Sequence, residues 1–288
     1  MVINIQDDIL KIQSYGLTEK LLTDKTTKKK LIWGTDAYAH LGYEYERDKE
    51  ITTGLVTGRN AGVIKTRARK AMEQQNERTR QHAEVFTPLW VCKKMNDYAD
   101  EVNTKKKSSL KEYVDLKILE ITCGEAPFLV SRYDVATGEM IPVGERIGIL
   151  DRKLKAVCEN LSEETEKLEF IIRAFQSVYG YEFQGDNVLI ARTNLFMTFE
   201  EYLHEYLQRD PTIEEQRKIL NIITWNIWQM DGLTGRLPYC KAEEDNHQIS
   251  FNEWLGIETG QKKEDRQPQC RIYDWRSNKS IIYNSMKE

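Results

Sequence analysis

The chain has 288 residues, 40% hydrophobic and 31% charged, with a formal net charge of −4; that is enough for one α/β domain with an appendage, or for two small domains, around a substantial core. No apolar stretch approaches the roughly 20 residues of a membrane span, and residues 1–8 show no basic region followed by an apolar core, so a membrane or secreted protein is not expected and the cytoplasm is the expected location. Five cysteines (Cys92, Cys123, Cys158, Cys240 and Cys270) are scattered without CxxC spacing, which argues against a disulfide framework and against an intact zinc site.

Residues 1 to about 60 mix short helical patterns with an aromatic stretch at 31–40 and glycine-spaced turns at Gly54, Gly58 and Gly62; they read as an N-terminal extension. Residues 63–83 are strongly helix-forming and hold no glycine or proline, and predict a long charged helix, an arm or brace. The average charge does not attract nucleic acid, but DNA contact requires only one basic face. Lys28, Lys29 and Lys30, with Arg67, Arg69 and Lys70 on the predicted helix, are the candidates for it; a solvated helix face is the other reading. Thr87-Pro88 is a good helix start, since threonine accepts from free N–H groups and proline suits the first helical position. The helix it opens is expected to run to about residue 101.

After a lysine-rich link at 103–111, the apolar run 115–122 reads as a buried strand ending in Cys123-Gly124, with a tight turn to follow. A loop at 138–148 leads into an amphipathic helix with breaks over 150–177. A second strand is expected at 177–183, helices at 187–208 and 212–222, and a third strand near 226–230. This alternation predicts a parallel sheet with helices on its faces. The polar tail from Leu237 is expected to form a hairpin around 271–275 and 280–283, and Trp33, Trp225 and Trp228 are expected in the core.

Ligands of open parallel sheets sit outside the carboxyl ends of the strands, which directs attention to residues 120–129, 180–187 and 230–233. An acid at the end of the second strand, Glu182, suits a ribose, because a carboxylate accepts from both hydroxyls. The first turn has no lysine and no Gly-Lys-Ser, which disfavours a phosphate cradle and leaves a nucleoside without a phosphate chain as the simpler ligand. Taken singly, Cys123-Gly124 is turn chemistry and Glu182 a solvated acid; their order along the chain favours the ligand reading.

In this order the residues resemble the adenine-N6 DNA methyltransferases of restriction–modification systems, particularly their subunit M chains. Phe86-Thr87-Pro88 matches the Phe-Thr-Pro that precedes a helix near the cofactor. Residues 120–129 match the first-strand motif Asp-Pro-x-Cys-Gly-Ser-Gly-x-Phe-Leu, keeping Cys123, Gly124, Phe128 and Leu129. Glu182 matches the acid of the second strand and Asp231 the acid after the third. The resemblance implies a Rossmann-like class I methyltransferase sheet with a helical N-terminal extension, and S-adenosylmethionine as cofactor. Phe86, Thr87, Pro88, Glu120, Cys123, Gly124, Glu182, Phe183 and Asp231 are its implied contacts. The expected division is an extension at 1–83, the cofactor domain at 84–236 and a tail at 237–288.

The departures are as informative. Ile121 replaces the family proline, Glu125 the small polar residue and Ala126 the second glycine. Glu125 is expected either to meet the ammonium of methionine or to weaken carboxylate binding. The family's Asn- or Asp-Pro-Pro-Tyr, which binds the flipped adenine, has no counterpart; the nearest residues are Leu237-Pro238-Tyr239. The expected partners are therefore DNA and a second polypeptide carrying the catalytic and target-recognition parts. A catalytically inactive DNA-binding or assembly scaffold is the competing expectation, and methylation of RNA or protein a third.

Overall fold

The computed structural model describes residues 1–70, 87–104, 109–239 and 268–286. The N-terminal part carries α1 (Ile5–Ser14), α2 (Thr18–Leu21) and α3 (Thr53–Val56). It is followed by α4 (Leu89–Thr104), α5 (Leu110–Asp115), β1 (Ile118–Ile121), α6 (Ile149–Asn160) and α7 (Glu164–Phe175). Then come β2 (Val178–Glu182), α8 (Gly185–Leu207), α9 (Ile213–Asn226) and β3 (Ile227–Gln229), and the tail forms β4 (Arg271–Asp274) and β5 (Lys279–Ile282).

β1, β2 and β3 form a parallel sheet in that order, with Ile118 opposite Val178 and Gly180 opposite Ile227. The mixed α/β fold expected from the alternation of elements is present. β2 is buried along its whole length, because it has a strand on each side and layers on both faces. The predicted helix at 150–177 divides into α6 and α7 where Leu161 turns to an extended backbone. α9 begins with a capping box in which Thr212 and Glu215 each bond the other's backbone N–H. The first strand starts later than its apolar run because Ser109 caps α5 by accepting from the Glu112 N–H at 3.3 Å, and α5 claims residues up to Asp115.

One face of the sheet packs on helices. Ile5, Ile9 and Ile12 of α1, spaced for one helical stripe, share a core with Val178, Ile227 and the α8 residues Val188 to Phe199. α8 is buried nearly all round, and its Arg192 guanidinium donates to the carbonyls of Leu21, Thr23, Thr224 and Ile227 at 2.6–3.2 Å. The first 70 residues thus share the core of the sheet. At residues 32–34 they cross the ends of β2 and β3: Gln229 bonds both the N–H and the carbonyl of Ile32, at 3.0 and 2.9 Å, and the Gly185 N–H donates to Trp33 at 2.8 Å. A Cβ on Gly185 would lie 1.9 Å from the Ile32 carbonyl oxygen, so only glycine admits this crossing.

The other face of β2 and β3 carries Tyr179, Tyr181 and Trp228, covered by the antiparallel β4–β5 hairpin through Ile272 and by Tyr283 beyond it. The hairpin lies where the tail's alternation predicts it. Trp33 and Trp228 are buried, as expected, while Trp225 is half-buried against Tyr273.

Residues 63–70 do not form the helix their composition favours. A short 3₁₀ turn spans Arg67–Arg69, the Arg67 N–H donates to Glu125 Oε1 at 2.6 Å, and Lys70 is buried with its ammonium 3.4 Å from Asp186. These tertiary bonds outweigh helix preferences of about 0.7 kcal/mol per residue or less. The remainder of that predicted helix lies outside the described residues. Among the described residues no helix is long and apolar enough to cross a membrane.

Candidate functional site

The turn after β1 needs a backbone that ordinary residues resist. Thr122, Gly124 and Ala126 have φ of 53°, 53° and 64°, in the left-handed region that favours glycine and costs other residues about 1 kcal/mol or more. Two contacts with β2 hold it. The Cys123 N–H donates to Tyr181 at 2.9 Å, and its side chain packs on Gly180, where a Cβ would come within 3.1 Å of it. Glu182 completes the clamp: Oε2 accepts from the Gly124 N–H at 3.0 Å, and Oε1 from the N–H groups of Phe183 and Gln184 at 2.8 and 3.1 Å. The carboxylate expected to meet a ribose is thus also the brace that joins the first turn to the second.

Beside the turn is a cleft of about 470 Å³, counting its open mouth, lined by Arg67, Thr87, Glu120, Thr122, Cys123, Gly124, Glu125, Pro127, Phe128 and Val135. Glu120 is strongly perturbed there. Burial, then the neighbouring Glu182 charge, push its carboxyl well above the usual range, with the amides of Phe128 and Leu129 opposing. The residue keeps some exposure through the cleft, yet its Oε2 is shut off from solvent and has no hydrogen-bond partner. Such an oxygen is costly unless a donor arrives. Burial and the two carboxyl groups also raise the Cys123 thiol well above its ordinary value, which removes it as a nucleophile at neutral pH.

Glu125 does not wait for a ligand. Its Oε1 holds the Arg67 N–H, its Oε2 accepts from the Tyr133 hydroxyl at 2.7 Å, and Asn194 Nδ2 donates to the Glu125 carbonyl and to the Tyr133 oxygen at 3.0 and 3.1 Å. It is a bracket that fixes the 66–70 segment over the turn.

Of the residues expected at the cofactor, Thr87, Glu120, Cys123 and Gly124 line one cleft, and Glu182 touches it through Gly124. Pro88 opens α4, accepting from Val91 and Cys92, and Asn96 anchors that helix to the loop after the turn through the carbonyls of Phe128 and Ile147. Phe183 and Asp231 do not line the cleft. The Phe183 ring meets Tyr239 edge-on at 5.6 Å, with Arg47 over the Tyr239 ring, and Asp231 accepts from the Leu233 N–H while its backbone pairs with Arg236. Phe86 lies outside the described residues.

The candidate basic residues stand in different surroundings. Lys28 stands over the Trp225 ring, Lys29 is exposed, Lys30 pairs with Glu19, and Arg69 reaches Asn4. Lys70 is buried beside Asp186, which also accepts from the Tyr38 hydroxyl, so it cannot meet a phosphate without leaving the core. Arg67 turns out to line the cleft. Sequence reasoning missed that position, and also Tyr133, because both enter through bonds to Glu125 made 58 and 8 residues away. Among the described residues no cluster of histidine, cysteine and acidic side chains could hold a metal ion.

The cleft therefore gathers Glu120, one oxygen of which lacks a donor, with Arg67, two threonines and the start of a 16-residue helix. No family model matches the chain, and no curated protein or solved structure matches it.

Proposed function

We propose that the chain is the S-adenosylmethionine-binding component of a DNA adenine-N6 methyltransferase, with the catalytic loop supplied by a second polypeptide. The observation that carries this reading is the cleft at the carboxyl end of β1, where Thr87 meets Glu120, Cys123 and Gly124, four residues of two separate motifs. The cofactor would supply the methyl group; the chain's own task is to hold and orient it. The N-terminus of α4 offers partial positive charge and N–H groups to a carboxylate, and the Glu120 carboxyl stands in the same cleft. The fit is thus strongest at the amino-acid end. The nucleic-acid substrate is taken from the motif resemblance alone.

The sheet also supports a Rossmann-like reading. The order β1-β2-β3 is that of one half of a doubly wound sheet, whose second half continues beyond the first strand. Among the described residues that side is bare: Leu119 and Ile121 are 42% and 63% exposed, although their partners Tyr179 and Tyr181 across the ladder are buried. Trp90, Met95, Tyr98 and Val102 of α4 are exposed as well. A second polypeptide that continues the sheet would cover such a surface. A catalytically inactive scaffold is the other reading, favoured by Tyr239 standing against Phe183 where an adenine would stack.

Calorimetric titration of S-adenosylmethionine into the purified chain tests the proposal, with Glu120→Gln as the control. Binding by the wild type that weakens about tenfold in the variant, as loss of a charged hydrogen bond predicts, supports it. No binding by the wild type transfers the weight to the scaffold. Methylation of DNA by this chain alone would overturn the split-enzyme part.

A further inference from the structure

We infer that the turn at residues 24–29 and the adjoining side of α9 form a contact surface for the phosphate backbone of duplex DNA, with Lys25, Lys28 and Lys29 as its cations and Trp225 as the plate that holds two of them. The choice of DNA among polyanions rests on the proposed function. Lys25 and Lys28 stand over the same Trp225 ring, their ammonium nitrogens 5.8 and 5.1 Å from its centre, and Lys25 also donates to Asn221 Oδ1 at 2.9 Å. The turn that carries them is closed by its own bonds. The Asp24 N–H donates to the Lys29 carbonyl at 2.8 Å, the Lys28 N–H to the Asp24 carbonyl at 3.0 Å, and the Thr27 N–H to Asp24 Oδ2 at 2.6 Å. Lys28 sits there with φ of 65°, a left-handed conformation that strains a lysine and that glycine takes freely.

Like charges gathered in this way call for an anion. Burial, then Lys20, Lys28 and Arg192, push the Lys25 pKa down to about 8, and all three of those groups are cations. The acids of the same segment are engaged elsewhere, Glu19 with Lys30 and Thr53, and Asp24 with Thr27. A phosphate brought to Lys25 and Lys28 relieves the repulsion. The surface is also longer than one phosphate. Exposed Lys218 lies two turns before Trp225 on α9, with Asn221 between them, so the cations follow one side of the helix over about 10 Å. A free phosphate meets one end of such a row, whereas a DNA strand carries a charge at every step. Trp225 lies just before β3, at the amino end of that strand, and the cleft lies at the carboxyl end of β1. The surface therefore anchors DNA away from the cofactor and reads no bases.

The test titrates a labelled DNA duplex with the full chain by fluorescence anisotropy over a series of salt concentrations. In the triple variant Lys25→Gln, Lys28→Gln, Lys29→Gln the slope of log affinity against log salt should shrink by about 0.9 for each phosphate contact removed, equally for unrelated duplex sequences and with the melting temperature unchanged. The triple variant Lys25→Arg, Lys28→Arg, Lys29→Arg should keep the wild-type slope. An unchanged slope in the glutamine variant overturns the inference and leaves the proposed function standing. An equal loss in Lys93→Gln, Lys94→Gln, Lys111→Gln, which removes the same charge from exposed positions elsewhere, overturns it too, because net charge alone would then account for the effect. No duplex binding by the wild type takes down the DNA part of the proposed function and the surface with it, and leaves cofactor binding to its own titration. Tighter binding of RNA or of single strands than of the duplex overturns the choice of partner.

Discussion

The two sides of the parallel sheet are finished in opposite ways. At β2 and β3 the chain closes everything itself: the hairpin and Tyr283 cover one face, the residue 32–34 segment crosses the strand ends, and Gln229 satisfies both backbone groups of Ile32. At β1 the outward face is bare among the described residues, the turn holds three left-handed residues, and Glu120 keeps an oxygen without a donor. Packing and hydrogen bonding complete on one side and unfinished on the other teach that stability is concentrated at β2–β3, while β1 is where the proposed cofactor and partner would bind.

The strongest way to break this contrast is Gly185→Ala. The new methyl group meets the Ile32 carbonyl at 1.9 Å, and the expected loss is about 3 kcal/mol, read as a lowered urea midpoint; a midpoint equal to the wild type would show that the crossing is not tight. The second concerns pH. Burial raises the Glu120 pKa in the folded chain above its ordinary 4.5, so over the window from 4.5 up to that raised value the folded state holds the extra proton and stability falls as pH rises. Glu120→Gln removes the titration, and its melting temperature should fall less with pH than that of the wild type. Parallel curves would contradict the assignment. The smallest effect belongs to Ile121→Ser on the bare side, expected to change stability by less than about 0.5 kcal/mol. A loss of several times that would mean that the described chain already covers this face.

The sheet and its turn were legible because their signals are local. An apolar run followed by Cys123-Gly124 marks a strand and a turn. The site was legible in part: Thr87, Glu120, Cys123 and Gly124 meet as their motifs imply, whereas Phe183 and Asp231 are engaged with Tyr239 and Arg236. What escaped was long-range. Residues 63–70 have the composition of a helix, but the Arg67 amide goes to Glu125 and the Lys70 ammonium to Asp186, partners 58 and 116 residues away. Nothing in the Ile32-Trp33-Gly34 segment announces that Gln229 will receive it, because the pairing is made by one amide side chain and leaves no periodicity.

Arg192 imposes an order on synthesis. The carbonyls of Leu21 and Thr23 that it satisfies leave the ribosome 171 and 169 residues ahead of it, and no local contact of theirs can substitute for a guanidinium that does not yet exist. The opening segment therefore emerges as an unfinished half of a joint, and nascent chains halted before α8 should be cut by protease near residues 21–23, whereas chains released after β3 should resist.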